Sequence, residues 1–240
     1  MPRTFVVLPA YNEEAGLAAL LDKLELALSD IDYHVIVVDD GSHDATAAVA
    51  RSRGAELLQH PQNMGLGATV RDGLVHAGSL AKPGDTVVVL DADDTHPPSR
   101  ILAMQRKLED GYDVVIASRF RLGSRVVGVS WSRRLYSWGA SWLFQLFYPI
   151  SGVRDFTCGF RAYRAEALQK ALACYGPGLV DRDGFECMVD TLLKLRQLKL
   201  RFTEVPFVLR YDRKAGATKM NVRRTIVNTL LLMVKGKKKT

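Results

Sequence analysis

The chain has 240 residues, 48% apolar and 25% charged, which suits one large globular domain, or one and a half, and excludes a low-complexity or disordered chain. Its net charge of +7 is uneven: nine of the 33 basic residues follow Asp212, where there is no acid, leaving 24 basic against 26 acidic groups before that point. A nucleic-acid-binding face spread over the whole domain is thereby excluded, and no run approaches the ~20 apolar residues of a membrane span.

The first half alternates strand and helix patterns. A strand over 5–8 ends in Pro9-Ala10-Tyr11-Asn12-Glu13, and a helix follows with Asn12 as its cap and Leu17, Leu20, Leu21, Leu24 and Leu28 on one face. A second strand, 35–38, ends in Asp39-Asp40-Gly41-Ser42, with Ser42 capping a helix that stops near Gly54. A short strand around Leu57 leads to Asn63-Met64-Gly65-Leu66-Gly67, which opens a third helix. These glycines match neither a dinucleotide fingerprint nor a P-loop, and a close helix–strand approach accounts for them.

Four apolar residues then run into Asp91-Ala92-Asp93-Asp94-Thr95-His96-Pro97-Pro98. This reads as a buried parallel strand ending in an acidic loop, with the prolines opening the next helix. Carboxylates packed so closely repel one another, and keeping them ionised calls for a cation. Another strand, 113–117, ends in Ser118-Arg119. Glu13, Asp39, Asp40, Asp91, Asp93 and Arg119 thus all follow the carboxyl end of a strand, the edge where open α/β sheets bind ligands.

Residues 131–150 hold all three tryptophans together with Arg133 and Arg134. Two readings stand: a buried helical hairpin, or amphipathic aromatics at the headgroup level of a bilayer. Helices near 166–173 and 184–198 precede a strand over 202–209, which delivers the loop from Arg213 to Lys219. Residues 221–234 place Val222, Ile226, Val227, Leu230, Leu231 and Val234 on one face, followed by four lysines. This predicts an interfacial helix with a polybasic tail, or else a helix docked on the domain. Cys158, Cys174 and Cys187 are odd in number and widely spaced, as expected of core residues in a reduced cytosolic protein. The strand-like start at Thr4 is unlike a signal peptide.

Seven motifs, in order, carry a resemblance across roughly residues 3–220: Pro9–Glu13, Asp39–Ser42, Gly65–Gly67, Asp91–Asp93, Thr157-Cys158-Gly159-Phe160-Arg161-Ala162-Tyr163, Glu204-Val205-Pro206 and Arg213–Lys219. The set resembles the family-2 glycosyltransferases, and within them the dolichol- or polyprenol-phosphate mannose synthases. The resemblance implies a GT-A fold, a mostly parallel mixed sheet sandwiched by helices. Residues 1–119 would form the nucleotide-sugar-binding half, 120–220 the acceptor-side half, and 221–240 the amphipathic helix and tail. It also implies that Pro9, Tyr11, Glu13, Val38 and Asp40 contact the base and ribose. Asp91, Ala92 and Asp93 would hold the diphosphate, Asp93 as chief ligand of Mg²⁺ or Mn²⁺. Arg119, Arg213, Lys219 and one of Arg133 and Arg134 would meet phosphates or sugar. Thr95 stands where many members carry Gln as a further metal ligand, and offers a shorter side-chain oxygen.

The implied reaction is inverting transfer of a sugar, GDP-mannose being the favoured donor and a UDP-sugar the alternative. The implied acceptor is a polyprenyl phosphate, reached by peripheral contact at the inner, cytoplasmic membrane face, with no nucleic-acid partner. A lipid phosphate is already an anion and needs no general base; a sugar hydroxyl would need one, for which Asp155 is the candidate. The loop 213–219, with a cation at each end and Gly216 between, is expected to close over the donor. The stretch at Asp91 also resembles the nucleophile motif of haloacid-dehalogenase-type phosphatases, but it lies far from the N-terminus and no second acidic pair follows. A non-catalytic nucleotide-sugar binder is the other alternative, and the intact acidic loops oppose it.

Overall fold

The computed structural model describes residues 2–214, with the backbone alone for 132–136 and 140. Among the described residues nine strands form: β1 Thr4–Ala10, β2 Tyr33–Asp39, β3 Glu56–Gln59, β4 Thr86–Val89, β5 Val114–Ser118, β6 Arg125–Val127, β7 Arg161–Arg164, β8 Phe202–Pro206 and β9 Val208–Arg210. Every residue of β1, β4 and β5 is buried, as a sheet covered on both faces requires of its central strands. Seven strands make one sheet in the order β3-β2-β1-β4-β7-β5-β8, in which β7 alone runs antiparallel to its neighbours. The helices are α1 Glu14–Ala27, α2 Thr46–Ser52, α3 Leu66–Leu80, α4 Arg100–Glu109, α5 Trp131–Phe147, α6 Ala165–Tyr175 and α7 Cys187–Gln197. The five leucines expected on one face of α1 are all buried in the core.

The register sets where the loops emerge. Ala10 pairs with Asp39 across β1 and β2, and Val7 pairs with Val89 across β1 and β4. Three consecutive parallel strands therefore stop at one edge and release Tyr11–Glu13, Asp40–Ser42 and Asp91–Asp93 side by side.

Several expectations give way here. Asn12 does not cap α1: it has φ +49, and its side-chain oxygen accepts the His43 N–H at 2.8 Å. Ser42 does not cap α2: its hydroxyl oxygen accepts the Asn12 N–H at 2.8 Å, and α2 starts only at Thr46. Residues that read as caps instead tie two adjacent loops together, because both loops leave the sheet at the same edge. The strand expected over 202–209 breaks at Phe207, where the chain passes into a separate two-stranded sheet, β6 with β9. Residues 131–147 form a single helix rather than a buried hairpin, with Trp131, Trp138 and Trp142 exposed. Cys158 and Cys187 are buried, but Cys174 is exposed on α6. Among the described residues no helix is long and apolar enough to cross a membrane. The helix and tail expected over 221–240 lie outside the described residues.

Inserting β7 places a guanidinium in the core. Arg161 is fully buried and donates to three carbonyls: Cys158 at 2.9 Å, Phe156 at 2.9 Å and Met188 at 2.7 Å. These bonds fix the loop before β7 and the first turn of α7 to one point. Arg161→Met would leave three buried acceptors without a donor, and should cost about 3 kcal/mol or more. Urea unfolding checks this through a lower midpoint at unchanged slope. A loss below about 1 kcal/mol would mean that water replaces the guanidinium.

Candidate active site

The loop after β4 is shaped from three sides. Thr95 donates from its hydroxyl to Asp93 Oδ1 at 2.6 Å and from its N–H to the same oxygen at 3.2 Å, which fixes the carboxylate. Asp94 adopts φ +59 and pairs with Lys23 of α1. His96 Nδ1 accepts the Asp91 N–H at 3.3 Å, while its ring stacks on Phe160 at 5.3 Å and meets the edge of Phe207 at 5.5 Å. Position 16 of α1 has no room for a side chain: a Cβ on Gly16 would lie 2.9 Å from Asp93 Cα and 3.1 Å from the Ala92 oxygen. Glycine at this position lets the helix start against the loop backbone.

Asp93 is buried, and Lys214 Nζ lies 2.5 Å from its Oδ2 and 3.6 Å from Glu13 Oε1. Burial raises the Asp93 carboxyl, but Lys214 and His96 more than reverse this and hold it below the usual carboxylate range. Asp91 has no ammonium of its own. Burial, then the charges of Asp93 and Glu13, push its carboxyl up despite His96 and Lys214. Asp93 is thus matched by Lys214, whereas the ion-pair partner of the partly exposed Asp91 is His96, at 3.9 Å. Among the described residues no three Asp, Glu, His or Cys converge on a metal-sized position. Asp91 and Asp93 would be two oxygen donors of the kind Mg²⁺ and Mn²⁺ prefer, and Lys214 is a cation already standing on one of them.

Asp40 lies at the neighbouring strand end, but its oxygens are engaged. They accept the Met64 N–H at 2.8 Å and the Gly65 N–H at 2.9 Å, and His60 Nδ1 lies 2.7 Å away. The glycine loop packs on another loop rather than on a strand. Gly67 N–H donates to the Asp183 carbonyl at 3.0 Å, and a Cβ on Gly67 would lie 1.6 Å from the Arg182 oxygen. Pro9, Val38 and Ala92 are buried, and Val38 sits inside the sheet, so its side chain belongs to the core rather than to the ligand edge. Tyr11 is half-buried beside Glu13.

Arg119 is paired with Asp155. Its Nε and Nη2 bond the two Asp155 oxygens at 2.8 and 2.6 Å, and Nη2 also reaches Thr157 Oγ1 at 2.6 Å. Asp155 is fully buried; burial raises its carboxyl, and Arg119 outweighs that to hold it below the usual range. With its oxygens also accepting the N–H groups of Thr157 and Cys158, at 3.3 and 3.1 Å, Asp155 cannot serve as the base for a hydroxyl acceptor. Arg213 is exposed at the end of a short turn, and Lys219 lies outside the described residues.

Sequence reasoning passed over Lys214, His96 and Gly16. Each left a trace: a second cation beside Arg213, a histidine within the acidic stretch, and a glycine among leucines and alanines in the first turn of α1. Gly16→Ala should push the Asp93 loop away from Lys214 and cost about 1–3 kcal/mol by overpacking. Carboxyl titration by NMR should then show the Asp93 pKa rising toward its ordinary value. An unchanged titration would mean that α1 does not position the loop.

The profile described as Glycosyl transferase family 2 matches residues 5–172. An undecaprenyl-phosphate mannosyltransferase of Micrococcus luteus is 31% identical over 225 residues, covering 91% of this chain and 88% of that one. A polyprenol monophosphomannose synthase of Mycolicibacterium smegmatis is 29% identical, covering 91% and 81%. A dolichol-phosphate mannosyltransferase of Pyrococcus furiosus is 30% identical over 84% of this chain, which spans only 55% of that relative's length. Among solved structures, glucosyl-3-phosphoglycerate synthase from Mycobacterium tuberculosis, in complex with Mn²⁺, UDP and glucosyl-3-phosphoglycerate, matches with TM-score 0.66 at 22% identity, covering 97% of this chain and 80% of that one. The same enzyme in complex with Mg²⁺ and UDP gives a TM-score of 0.67. The mixed, mostly parallel sheet, its acidic edge and these likenesses agree: the chain belongs to glycosyl transferase family 2 and has the GT-A fold.

Proposed function

We propose that the chain is an inverting, metal-dependent glycosyltransferase that moves mannose from GDP-mannose to a polyprenyl phosphate at the inner face of a membrane. The observation that carries this reading is the Asp91–Asp93 pair, set on the loop after β4 at the edge where three parallel strands end. Residues 1–119 would bind the donor and 120–220 the acceptor. Asp93 and Asp91 would hold Mg²⁺ or Mn²⁺ against the diphosphate, with Thr95 fixing the Asp93 carboxylate. When bound, the ion stabilises the charge that develops on the departing diphosphate. Arg213 and Lys219 would add positive charge to the same group.

The acceptor assignment rests on the names of the relatives and on two features of this chain. Asp155 is spent on Arg119, which suits an acceptor that arrives already ionised and needs only to be positioned. Beside it, a cleft of about 270 Å³ is lined by Phe120, Trp138, Ser141, Trp142, Gln145 and Arg154. It is flanked on α5 by the exposed Trp131, Leu146 and Phe147. Exposed aromatics beside Arg suit the headgroup level of a bilayer, so α5 would rest on the membrane and bring the lipid phosphate toward Arg154.

Nucleotide release from GDP-mannose, GDP-glucose, UDP-glucose and UDP-galactose, with and without polyprenyl phosphate in anionic vesicles, tests the reading. Release should be fastest with GDP-mannose plus the lipid, vanish in EDTA and return with Mg²⁺ or Mn²⁺. Asp93→Asn should lose at least ~10²-fold in rate. The pair Trp138→Ala and Trp142→Ala should lose rate mainly through a higher KM for the lipid. Full release in EDTA would overturn the metal assignment, preference for UDP-glucose the donor, and indifference to the lipid the acceptor.

A further inference from the structure

The carboxylates of the donor edge are served by two lysines with separate tasks. Lys23 reaches across from α1 to Asp94. Lys214 comes from the far end of the described chain, just past β9 and the turn at 211–213, and enters between Asp93 and Glu13. Its side chain is only 11% exposed, whereas Arg213 beside it is exposed. An ammonium gives up much of its hydration to sit there, and the return is the charge of Asp93 at 2.5 Å. The charge of Asp91 acts on the same ammonium.

A divalent ion ligated by Asp93 would lie about 2.0–2.2 Å from a carboxylate oxygen. Oδ1 is held by Thr95, and Oδ2 is the oxygen that Lys214 contacts. An ion on Oδ2 would therefore be in near contact with the ammonium, and two cations cannot share that position without strong repulsion. We propose that Lys214 is a built-in counter-ion that holds the cation position on Asp93 while the donor is absent, so that Mg²⁺ or Mn²⁺ enters in competition with it. The proposal rests on the reading of Asp93 as a metal ligand.

This contact favours metal that arrives with nucleotide over metal alone. A bare ion offers the displaced ammonium no new partner, and only two protein carboxylates hold the ion. A metal–nucleoside diphosphate brings phosphate oxygens that complete the ion's shell and give the ammonium another anion. If the ammonium occupies the position some nine-tenths of the time, the apparent affinity for bare metal falls about ten-fold.

Mn²⁺ binding to the full chain, read from the electron paramagnetic resonance signal of free Mn²⁺ at fixed salt and neutral pH, tests this without turnover. Without nucleotide, Lys214→Met should bind Mn²⁺ about ten-fold more tightly than the parent. Lys214→Arg, which keeps a cation, should not. Lys214→Gln repeats the neutral change with a polar side chain, should the Met variant fail to fold. With GDP added, Asp93→Asn should abolish binding in every background. If that loss is seen but neutral variants at 214 bind Mn²⁺ no better than the parent, the counter-ion role is wrong and the metal reading stands. If Mn²⁺ binding survives Asp93→Asn, the metal reading fails, and the proposal with it.

Discussion

The parallel register of β1, β2 and β4 is the constraint from which the site follows. Because these strands stop at one edge, three short loops emerge within reach of one another, and each carries at least one carboxylate. Repulsion among those groups would scatter the loops if nothing opposed it. What opposes it differs from loop to loop. Asn12 and Ser42 bond the first loop to the second, backbone N–H groups of the glycine loop satisfy Asp40, and Thr95 with Lys214 satisfies Asp93. Asp91, partly exposed and 3.9 Å from His96, completes the pair with Asp93.

A second network holds the other half in place. Arg119 and Asp155 form a bidentate pair across the ends of β5 and the loop before β7. Glu204 on β8 accepts the N–H groups of Arg154 and Asp155 at 2.6 Å each. Arg161 gathers three carbonyls from the same region. Buried charges of this kind add little net stability, but removing one partner strands the other, so they specify one arrangement of loops. The cleft between Phe120, α5 and Arg154 inherits its shape from that arrangement.

Much of this was legible in the sequence. The β-branched runs at 5–8, 35–38 and 87–89 announce central strands, and acids placed just after them point to one ligand edge. The motif order points to family 2. What periodicity could not convey was pairing. β7 is four residues long with arginine at both ends, so nothing in its pattern marks an antiparallel strand in the middle of the sheet. Asn12 and Ser42 are cap residues by type and loop ties by position, a distinction made by residues about thirty apart. Asp155 reads as a free acid until Arg119 is seen beside it. Spacing likewise could not say which of two adjacent cations, Arg213 or Lys214, turns inward. The aromatic helix α5 fitted two readings because amphipathic aromatics suit both a core and a membrane surface; exposure of its three tryptophans removes the buried one.

The central claim is that Asp91 and Asp93 hold a divalent ion against the donor's diphosphate. Electron–nuclear double resonance of Mn²⁺ bound to the full chain with GDP tests this directly, because phosphorus within bonding distance of the ion couples to its spin. The expected result is strong ³¹P coupling that disappears in Asp93→Asn. A GDP complex whose bound Mn²⁺ shows no phosphorus coupling would contradict it.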